Sequence, residues 1–415
     1  MAQSSAVESL DMAMVRACFP SLSGDWTFFD NAGGAQILQP VLDRLQSYLL
    51  TSNVQLGASY DVSQRAAERL DAATEFAALY INAADKSEVV MGPSTSMLLR
   101  ILALCLGATL QAGDEVIVTD CDHEANITPW LDLRRQGVII KTWKTNSDSF
   151  RLELDDLQAL LTANTRLVTI THASNVLGQI NPIRQIADLT HRAGALLCVD
   201  GVGYAPHRLI DVQAMDVDFY VFSYYKVYGP HHALLYGKRD LLLNLPGFNH
   251  DFIGDDQVPY KFQPGGANYE LSYSTLGLKD YLLGLTQPQS CGDDSVRQRL
   301  TRSFELITHQ ETHLSQRMLE FLNSQPKIRV IGPTTHDGAV RVPTIAFTID
   351  GSHSATVPPQ VDAHQIGIRY GHFYAKRLIE ALGLNRQGGV IRVSMVHYNT
   401  LEECDRLIEI LDYLL

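Results

Sequence analysis

Short apolar segments alternate with amphipathic ones through the middle of the chain, and this alternation restricts its fold more than any other feature. Several of the apolar segments show no polar alternation, which is typical of strands covered on both faces. Amphipathic patterns such as Ser96–Leu106 and Pro182–Ala193 lie between them and predict helices. The predicted strands are Glu88–Met91, Glu115–Thr119, Val138–Trp143, Arg166–Thr171, Ala195–Asp200, Asp218–Ser223 and Ala233–Tyr236. We therefore expect an α/β domain with a mainly parallel seven-stranded sheet flanked by helices.

The pattern changes after about Leu285, and this change predicts a second, smaller domain of α+β type. Pro288, Ser290 and Gly292 mark a break, which a long amphipathic helix follows at Asp294–Asn323. The later predicted elements are strands Ile328–Ile331 and Thr344–Ile349, a helix at Ala375–Leu382, a strand at Val390–Met395 and a helix from Leu401. We divide the chain into an N-terminal segment that packs with the small domain (residues 1–25), a large domain (26–287) and a small C-terminal domain (288–415).

Composition and charge exclude several classes of protein. The chain of 415 residues has a net charge of −13 and no long run of basic residues, which argues against binding nucleic acid or an anionic membrane. We find no apolar stretch long enough to span a bilayer, and residues 1–10 lack the pattern of a secretory signal. The six cysteines are scattered without a CxxC pair, so we expect neither a disulfide framework nor a metal site, and a cytoplasmic location fits best.

Polar residues follow several of the predicted strands, at the positions where parallel sheets bind ligands. Ser94 and Thr95 precede a helix and suit either an anion site or an ordinary helix cap. His123 and Asn175 follow two further strands, where they indicate a pocket or simply turn chemistry. The chain contains neither GxGxxG nor GxxxxGK[ST], which argues against a dinucleotide or ATP phosphate loop.

A carboxylate and an amine end the next two strands. Asp200 follows one buried strand, where a carboxylate is costly unless a cation pairs with it. Lys226 follows the next strand, within Ser223-Tyr224-Tyr225-Lys226. Their spacing leaves two interpretations open, a shared functional cavity and a buried salt bridge.

Several segments, taken in order from about Phe29 to the C-terminus, resemble the class V aminotransferases. These are pyridoxal 5′-phosphate (PLP) enzymes of fold type I, and the resemblance is to the branch of cysteine desulfurases and selenocysteine lyases. The similar segments are Asp122–Trp130 (EHHANIVPW in that branch), Thr171–Gly178 (THxSNVLG), Asp200-Gly201 with His207 and Asp211-Val212 (DGxQxxxHxxxDV), Ser223–Pro230 (SxHKxxGP), and Ile391–Ser394 with Tyr398–Thr400 (RxS…YNT).

The resemblance implies a set of cofactor contacts. Lys226 would hold PLP as a Schiff base and shuttle the Cα proton of an amino-acid substrate. Asp200 would pair with the ring nitrogen and His123 would stack on the ring. The remaining implied contacts are Asn175 with the ring oxygen, Ser94, Thr95 and Ser223 with the phosphate, and Arg392 with the substrate carboxylate through a bidentate pair.

Some positions depart from the family pattern. Tyr225 replaces a histidine, and its hydroxyl would reach the phosphate instead. Gln55 stands near the substrate in place of a His-Arg pair, and Gly266 replaces a threonine that in the family reaches the phosphate of the partner subunit. The resemblance thus implies a homodimer. Tyr374 stands where desulfurases carry their nucleophilic cysteine, in a loop similar to RTGxxCA. A phenol with an ordinary pKa near 10 cannot replace a thiolate, so we do not expect a persulfide.

The expected activity is that of a PLP-dependent lyase or transferase. Removal of the Cα proton with β-elimination, and hence C–S or C–Se cleavage, fits the branch without its cysteine. Transamination and epimerisation are the alternatives on the same scaffold. A family member without catalysis is less favoured, because Lys226, Asp200, His123, Asn175 and Arg392 are all present. A nicotinamide dehydrogenase is disfavoured because the glycine fingerprint is missing.

Overall fold

A seven-stranded sheet lies at the centre of the large domain in the computed structural model, which describes residues 9–286 and 294–415. The strands in chain order are β1 (Thr27–Phe28), β2 (Val89–Gly92), β3 (Glu115–Thr119), β4 (Ile139–Trp143), β5 (Thr165–Thr171), β6 (Leu196–Asp200), β7 (Phe219–Ser223), β8 (Ala233–Gly237), β9 (Ile328–Ile331), β10 (Thr344–Ile349), β11 (Ile366–Gly367), β12 (Arg369–Gly371) and β13 (Val390–Ser394).

The large sheet has the spatial order β2-β8-β7-β6-β5-β3-β4. Strands β3 to β7 run parallel, and β8 is antiparallel to both of its neighbours. The prediction of a mainly parallel seven-stranded sheet is therefore confirmed. Parallel strands share one carboxyl edge, and the register sets Thr171 opposite Asp200, and Asp200 opposite Val221. The residues that follow β5, β6 and β7 consequently meet at this edge.

Helices cover both faces of the sheet. Alternate residues of one strand belong to opposite cores: Ile117 lies in one hydrophobic cluster, whereas Val116 and Val118 lie in the other. This double burial explains why consecutive central residues of the strand are apolar instead of alternating with polar ones. The helices are α1 (Met12–Ala17), α2 (Gln39–Thr51), α3 (Asp61–Ile81), α4 (Thr95–Gly107), α5 (Thr128–Leu131), α6 (Leu154–Leu160), α7 (Ile183–Arg192), α8 (Val212–Met215), α9 (Arg239–Asn244), α10 (Tyr269–Ser274), α11 (Leu276–Gly284), α12 (Val296–Ser324), α13 (Pro358–Asp362), α14 (Lys376–Ala381) and α15 (Leu401–Tyr413). Within the described ranges, no helix is both long enough and apolar enough to cross a membrane.

The small domain is built on an antiparallel sheet with the order β12-β13-β10-β9. Its core joins α12, α15 and this sheet through residues such as Leu314, Phe347 and Leu407. The long helix α12 begins with a capping box of Ser295 and Gln298, which supplies partners for backbone groups of its first turn. A small α+β C-terminal domain is therefore confirmed, although the sequence analysis did not predict the short strands β11 and β12.

The N-terminal segment contacts both domains. Arg16 donates to the carbonyl of Tyr398 and pairs with Glu403, both in the small domain. The ring of Phe19 packs edge-on against Tyr228 and Tyr398. Strand β1 pairs with β11, so residues 27 and 28, which we assigned to the large domain, join the small one. Residues 1–8, the predicted boundary at 287/288 and Cys291 lie outside the described residues, and the three-part division stays a prediction.

Candidate active site

A cavity opens at the carboxyl edge of the large sheet, between the ends of β5, β6 and β7 and the start of α4. Gly203 belongs to its wall, and a Cβ there would lie 2.3 Å from the carbonyl oxygen of Ala173, so this position has room only for glycine. Eight residues that the sequence assigned to the site line this cavity: Ser94, Thr95, His123, Asn175, Asp200, Ser223, Tyr225 and Lys226.

Asp200 and Lys226 both face this cavity but do not form a salt bridge. Asp200 ends β6, and Lys226 follows β7 in a short 3-10 turn, with 4% and 7% of their surfaces exposed. Among the described residues, no ion pair within 4.0 Å and no hydrogen bond joins them. Of the two interpretations of their spacing, the direct salt bridge is therefore wrong.

The electrostatic setting of this pair suits a bound cation and a reactive amine. One oxygen of Asp200 accepts the N–H of Val202 at 2.9 Å, and burial raises the pKa of Asp200 to about 6. A buried carboxylate held by a single neutral donor is stabilised when a cation joins it. Burial, reinforced by the charge of Arg392, lowers the pKa of Lys226 to about 8. A larger share of this amine is thus neutral and nucleophilic near pH 7 than in an ordinary lysine.

Hydroxyl groups gather at the N-terminus of α4. Ser94 caps the helix by accepting the N–H of Met97 at 3.2 Å, so the ordinary capping interpretation holds, yet Ser94 also lines the cavity. The hydroxyls of Thr95 and Ser223 lie 2.8 Å apart. A helix N-terminus with adjacent hydroxyls is a favourable environment for a phosphate. The ring of Tyr225 stacks parallel on His231, with centroids 4.9 Å apart.

His123 is neutral at physiological pH. Burial first, and then the charge of Lys226, lowers the pKa of His123 to about 4. Its Nδ1 accepts the N–H of Ala125 at 3.1 Å, so the proton lies on Nε2. The ring faces Tyr374 with a centroid distance of 5.1 Å. A neutral, oriented imidazole suits stacking on a planar ring that itself carries positive charge.

Residues 371–375 form a strap from the small domain over this site. The amide nitrogen of Asn175 donates to the carbonyl of Phe373 at 2.8 Å, and the N–H of Glu124 donates to the carbonyl of Tyr374 at 2.8 Å. Arg377 pairs with Glu124 just beyond the strap, at 3.0 Å. Tyr374 is 66% exposed, and with His123 it lines an open groove beside the cavity. The strap therefore ties the small domain to the carboxyl edge of the large sheet.

Arg392 is buried beneath the strap. One terminal nitrogen binds Asp30 at 2.6 Å, and the other donates to the carbonyl of Asn175 at 3.0 Å. The guanidinium carbon lies 3.8 Å from the ring centroid of Phe373. Arg369 approaches the same carboxylate of Asp30 at 3.2 Å. Neither Asp30 nor Phe373 was predicted from the sequence, although an acidic residue after the apolar Phe28-Phe29 pair was a usable signal for the first.

Four predicted site residues do not line this cavity: Tyr374 lines the groove beside it, Arg392 lies beneath the strap, and Gln55 and Gly266 lie elsewhere. Gln55 is exposed, and its backbone carbonyl accepts the hydroxyl of Ser63 at 2.7 Å. Gly266 lines a separate, largely apolar cavity with Met97 and Phe262. The sequence analysis assigned both residues to contacts that involve a second subunit, and these assignments stay predictions.

The site combines a buried lysine of lowered pKa, a buried carboxylate, a neutral histidine and a hydroxyl-lined helix N-terminus. This combination defines the class of α/β enzymes that carry an aldehyde cofactor on a lysine. A family model described as aminotransferase class-V matches residues 27–257 and 300–407. The chain therefore belongs to the class V aminotransferase family and is a PLP-dependent enzyme.

Relatives and solved structures agree with this assignment. The chain is 44% identical to the aminotransferase-like protein FGM3 of Gibberella zeae, over 98% of this chain and 99% of that protein. It is 34% identical to the cysteine desulfurase-like protein ustD of Aspergillus flavus, over 97% of this chain and 91% of that protein. A crystal structure of the cysteine desulfurase CsdA from Escherichia coli superimposes with a TM-score of 0.83 at 26% identity, covering 98% of both chains.

Proposed function

We propose that this enzyme removes the Cα proton of an α-amino acid and eliminates a group from Cβ, with C–S or C–Se cleavage and without a cysteine persulfide. One observation carries the proposal. The cavity combines Lys226 and Asp200, and the strap beside it carries Tyr374, which the sequence resemblance sets at the position of the desulfurase cysteine. Elimination requires a base and a means to accept electrons, but no thiol nucleophile.

The residues of the cavity fit PLP. Lys226 would hold it covalently, Asp200 would pair with the ring nitrogen, and His123 would cover one face of the ring. The hydroxyls of Thr95 and Ser223 would receive the phosphate at the start of α4, with Ser94 beside them. When bound, PLP supplies an electron sink for the pair released from the Cα–H bond.

The chain's own groups then select and move the proton. Lys226, whose pKa is lowered by burial, is the base suited to take a proton from Cα and return it elsewhere. Arg392 is the cation suited to the substrate carboxylate, and by fixing that group it decides which bond at Cα stands perpendicular to the cofactor ring. Tyr374, at the mouth of the site beside His123, is the phenol suited to contact the substrate side chain.

Transamination or epimerisation is the second candidate, because both begin with removal of the same proton. The relative from Gibberella zeae is described as aminotransferase-like, which supports the first of these. A role without catalysis is disfavoured because the lysine, the carboxylate and the histidine all line one cavity.

We also propose a cytoplasmic homodimer. Gln55 and Gly266 lie outside the cavity of their own chain, where a second subunit would give them their roles. Exposed apolar side chains of α4, Met97 and Leu104, offer a surface that a second subunit would cover. The described cysteines are all unpaired, which suits a reducing compartment.

A product assay tests the proposed reaction. The holoenzyme is incubated with a panel of amino acids that carry a leaving group at Cβ, and the products are separated. Pyruvate and ammonia in equal amounts support elimination, whereas a keto acid that keeps the substrate side chain indicates transamination, and inverted amino acid indicates epimerisation. Lys226→Ala serves as the control and should lose both the visible absorbance of bound PLP and all turnover. Full activity in a folded Lys226→Ala protein would end the PLP mechanism.

A further inference from the structure

The guanidinium of Arg392 is held on its face and at two of its three nitrogens. Phe373 covers the face at 3.8 Å, Asp30 binds one terminal nitrogen and the carbonyl of Asn175 binds the other. Each terminal nitrogen carries a second N–H that these bonds do not use. The Nε atom is buried and has no hydrogen-bond partner among the described residues. Arg392 therefore keeps donors for an anion while the rest of the group is fixed.

Phe373 makes this contact from an unusual backbone conformation. Its φ angle is +50°, in the left-handed region that residues other than glycine rarely adopt. Its carbonyl accepts the amide of Asn175, and only 7% of its surface is exposed. The guanidinium of Arg369 lies 5.4 Å from the centroid of the same ring. Arg369 also forms an ion pair with Asp30, the residue that pairs with Arg392. The ring thus contacts both arginines that share this carboxylate.

We propose that Phe373 is a positioning residue that presents Arg392 to the carboxylate of the amino-acid substrate. An arginine side chain has several rotatable bonds, and ordering it when the ligand arrives would weaken binding. A ring stacked on the guanidinium face orders the group in advance and leaves the edge, where the N–H donors lie, for the carboxylate. This inference rests on the proposed function, in which Arg392 receives that carboxylate.

The test compares two ligands that differ only in the carboxylate. L-alanine and ethylamine are titrated separately into the holoenzyme, and the absorbance of bound PLP reports the two dissociation constants. The change in their ratio from one variant to another measures carboxylate recognition, because the difference in basicity between the two amines is the same for every variant. Phe373→Leu keeps an apolar side chain and the same backbone strain, and Phe373→Tyr keeps the ring. Both substitutions are also made in an Arg392→Gln background.

We expect Phe373→Leu to lower the preference for L-alanine about 3- to 10-fold, the range expected when one long side chain must be ordered on binding. Phe373→Tyr should keep the preference. In the Arg392→Gln background, Phe373→Leu should change it less than about twofold, because the interaction under test is already lost.

Two results would overturn the inference while leaving the proposed function in place: an unchanged preference in Phe373→Leu, or an equal fall in the Arg392→Gln background. A wild-type enzyme that binds ethylamine as tightly as L-alanine would instead contradict the carboxylate role of Arg392 itself. PLP content and circular dichroism of each variant show that it is folded.

Discussion

Alkylating the thiols of the holoenzyme should leave its activity largely intact. Burial is the reason, since four described cysteines are buried and the fifth is partly exposed: Cys105, Cys121, Cys198 and Cys404, with Cys18. None of them lines the cofactor cavity or the groove beside Tyr374. Burial raises the pKa of Cys105 to about 11 and that of Cys404 to about 12, and it also raises the pKa of Cys121.

The magnitude follows from the thiolate fraction, because the thiolate is the reactive species. A rise of the Cys105 pKa from 9.0 to about 11 lowers the thiolate fraction at pH 8 about 100-fold. A cysteine that attacks sulfur requires the opposite shift. Cys18 is the described cysteine most accessible to the reagent, and it lies outside the site. Its thiol donates to the carbonyl of Met14, a residue of α1, at 3.4 Å.

The assay follows turnover against time in iodoacetamide, with mass spectrometry to locate the label. Tyr374→Cys is the matched positive control, because it sets a thiol on the exposed strap at the mouth of the site and should become sensitive to the reagent. Cys291 lies outside the described residues, and the mapping covers it. Rapid inactivation of the wild type, mapped to one native cysteine that also carries substrate sulfur, would refute the reasoning.

Three further outcomes are expected. The rate of PLP uptake by the apoenzyme should rise with pH and level off above about pH 8. Only a neutral amine attacks the aldehyde, and the pKa of Lys226 is lowered from 10.5 to about 8. Stopped-flow rates that still climb towards pH 10 would contradict this. Asp200→Asn should lower turnover by orders of magnitude, since an amide cannot balance a charged ring nitrogen; unchanged turnover and PLP affinity would leave Asp200 a merely structural carboxylate. Sedimentation should show a homodimer, and an active monomer would disprove that assembly.

The strands of the large sheet were predictable because the apolar pattern of each strand lies within a few consecutive residues. Strands covered on both faces are rich in apolar residues, and this pattern predicted β3 with its observed bounds and the other large-sheet strands to within about one residue. The location of the site was also predictable, because parallel strands end at the same edge of a sheet and the residues that follow them meet there. That single inference placed Ser94, His123, Asn175, Asp200 and Lys226 in one cavity.

The parts that escaped prediction depend on distant contacts. Strand β12 has only three residues and exists because Arg369–Gly371 pairs with Val390–Arg392. Helix α4 was predicted from its helical pattern, yet the 49% and 55% exposure of its Met97 and Leu104 is not revealed by periodicity alone. Asp30 meets Arg392 across 362 residues of chain, and nothing in the local sequence of either residue specifies the other.

The contacts that hold the strap in place bear on the role of Tyr374, and the sequence alone does not reveal them. Its two central carbonyls are held by Asn175 and by the backbone of Glu124, and the ion pair of Glu124 with Arg377 fixes the chain just beyond it. A cysteine that accepts sulfur from a substrate and delivers it elsewhere needs a loop that can leave the site. A strap held at both carbonyls, with one aromatic ring on Arg392 and the next facing His123, is suited instead to forming one wall of a substrate pocket. This anchoring supports the proposal that Tyr374 contacts the substrate and that the reaction proceeds without a cysteine persulfide.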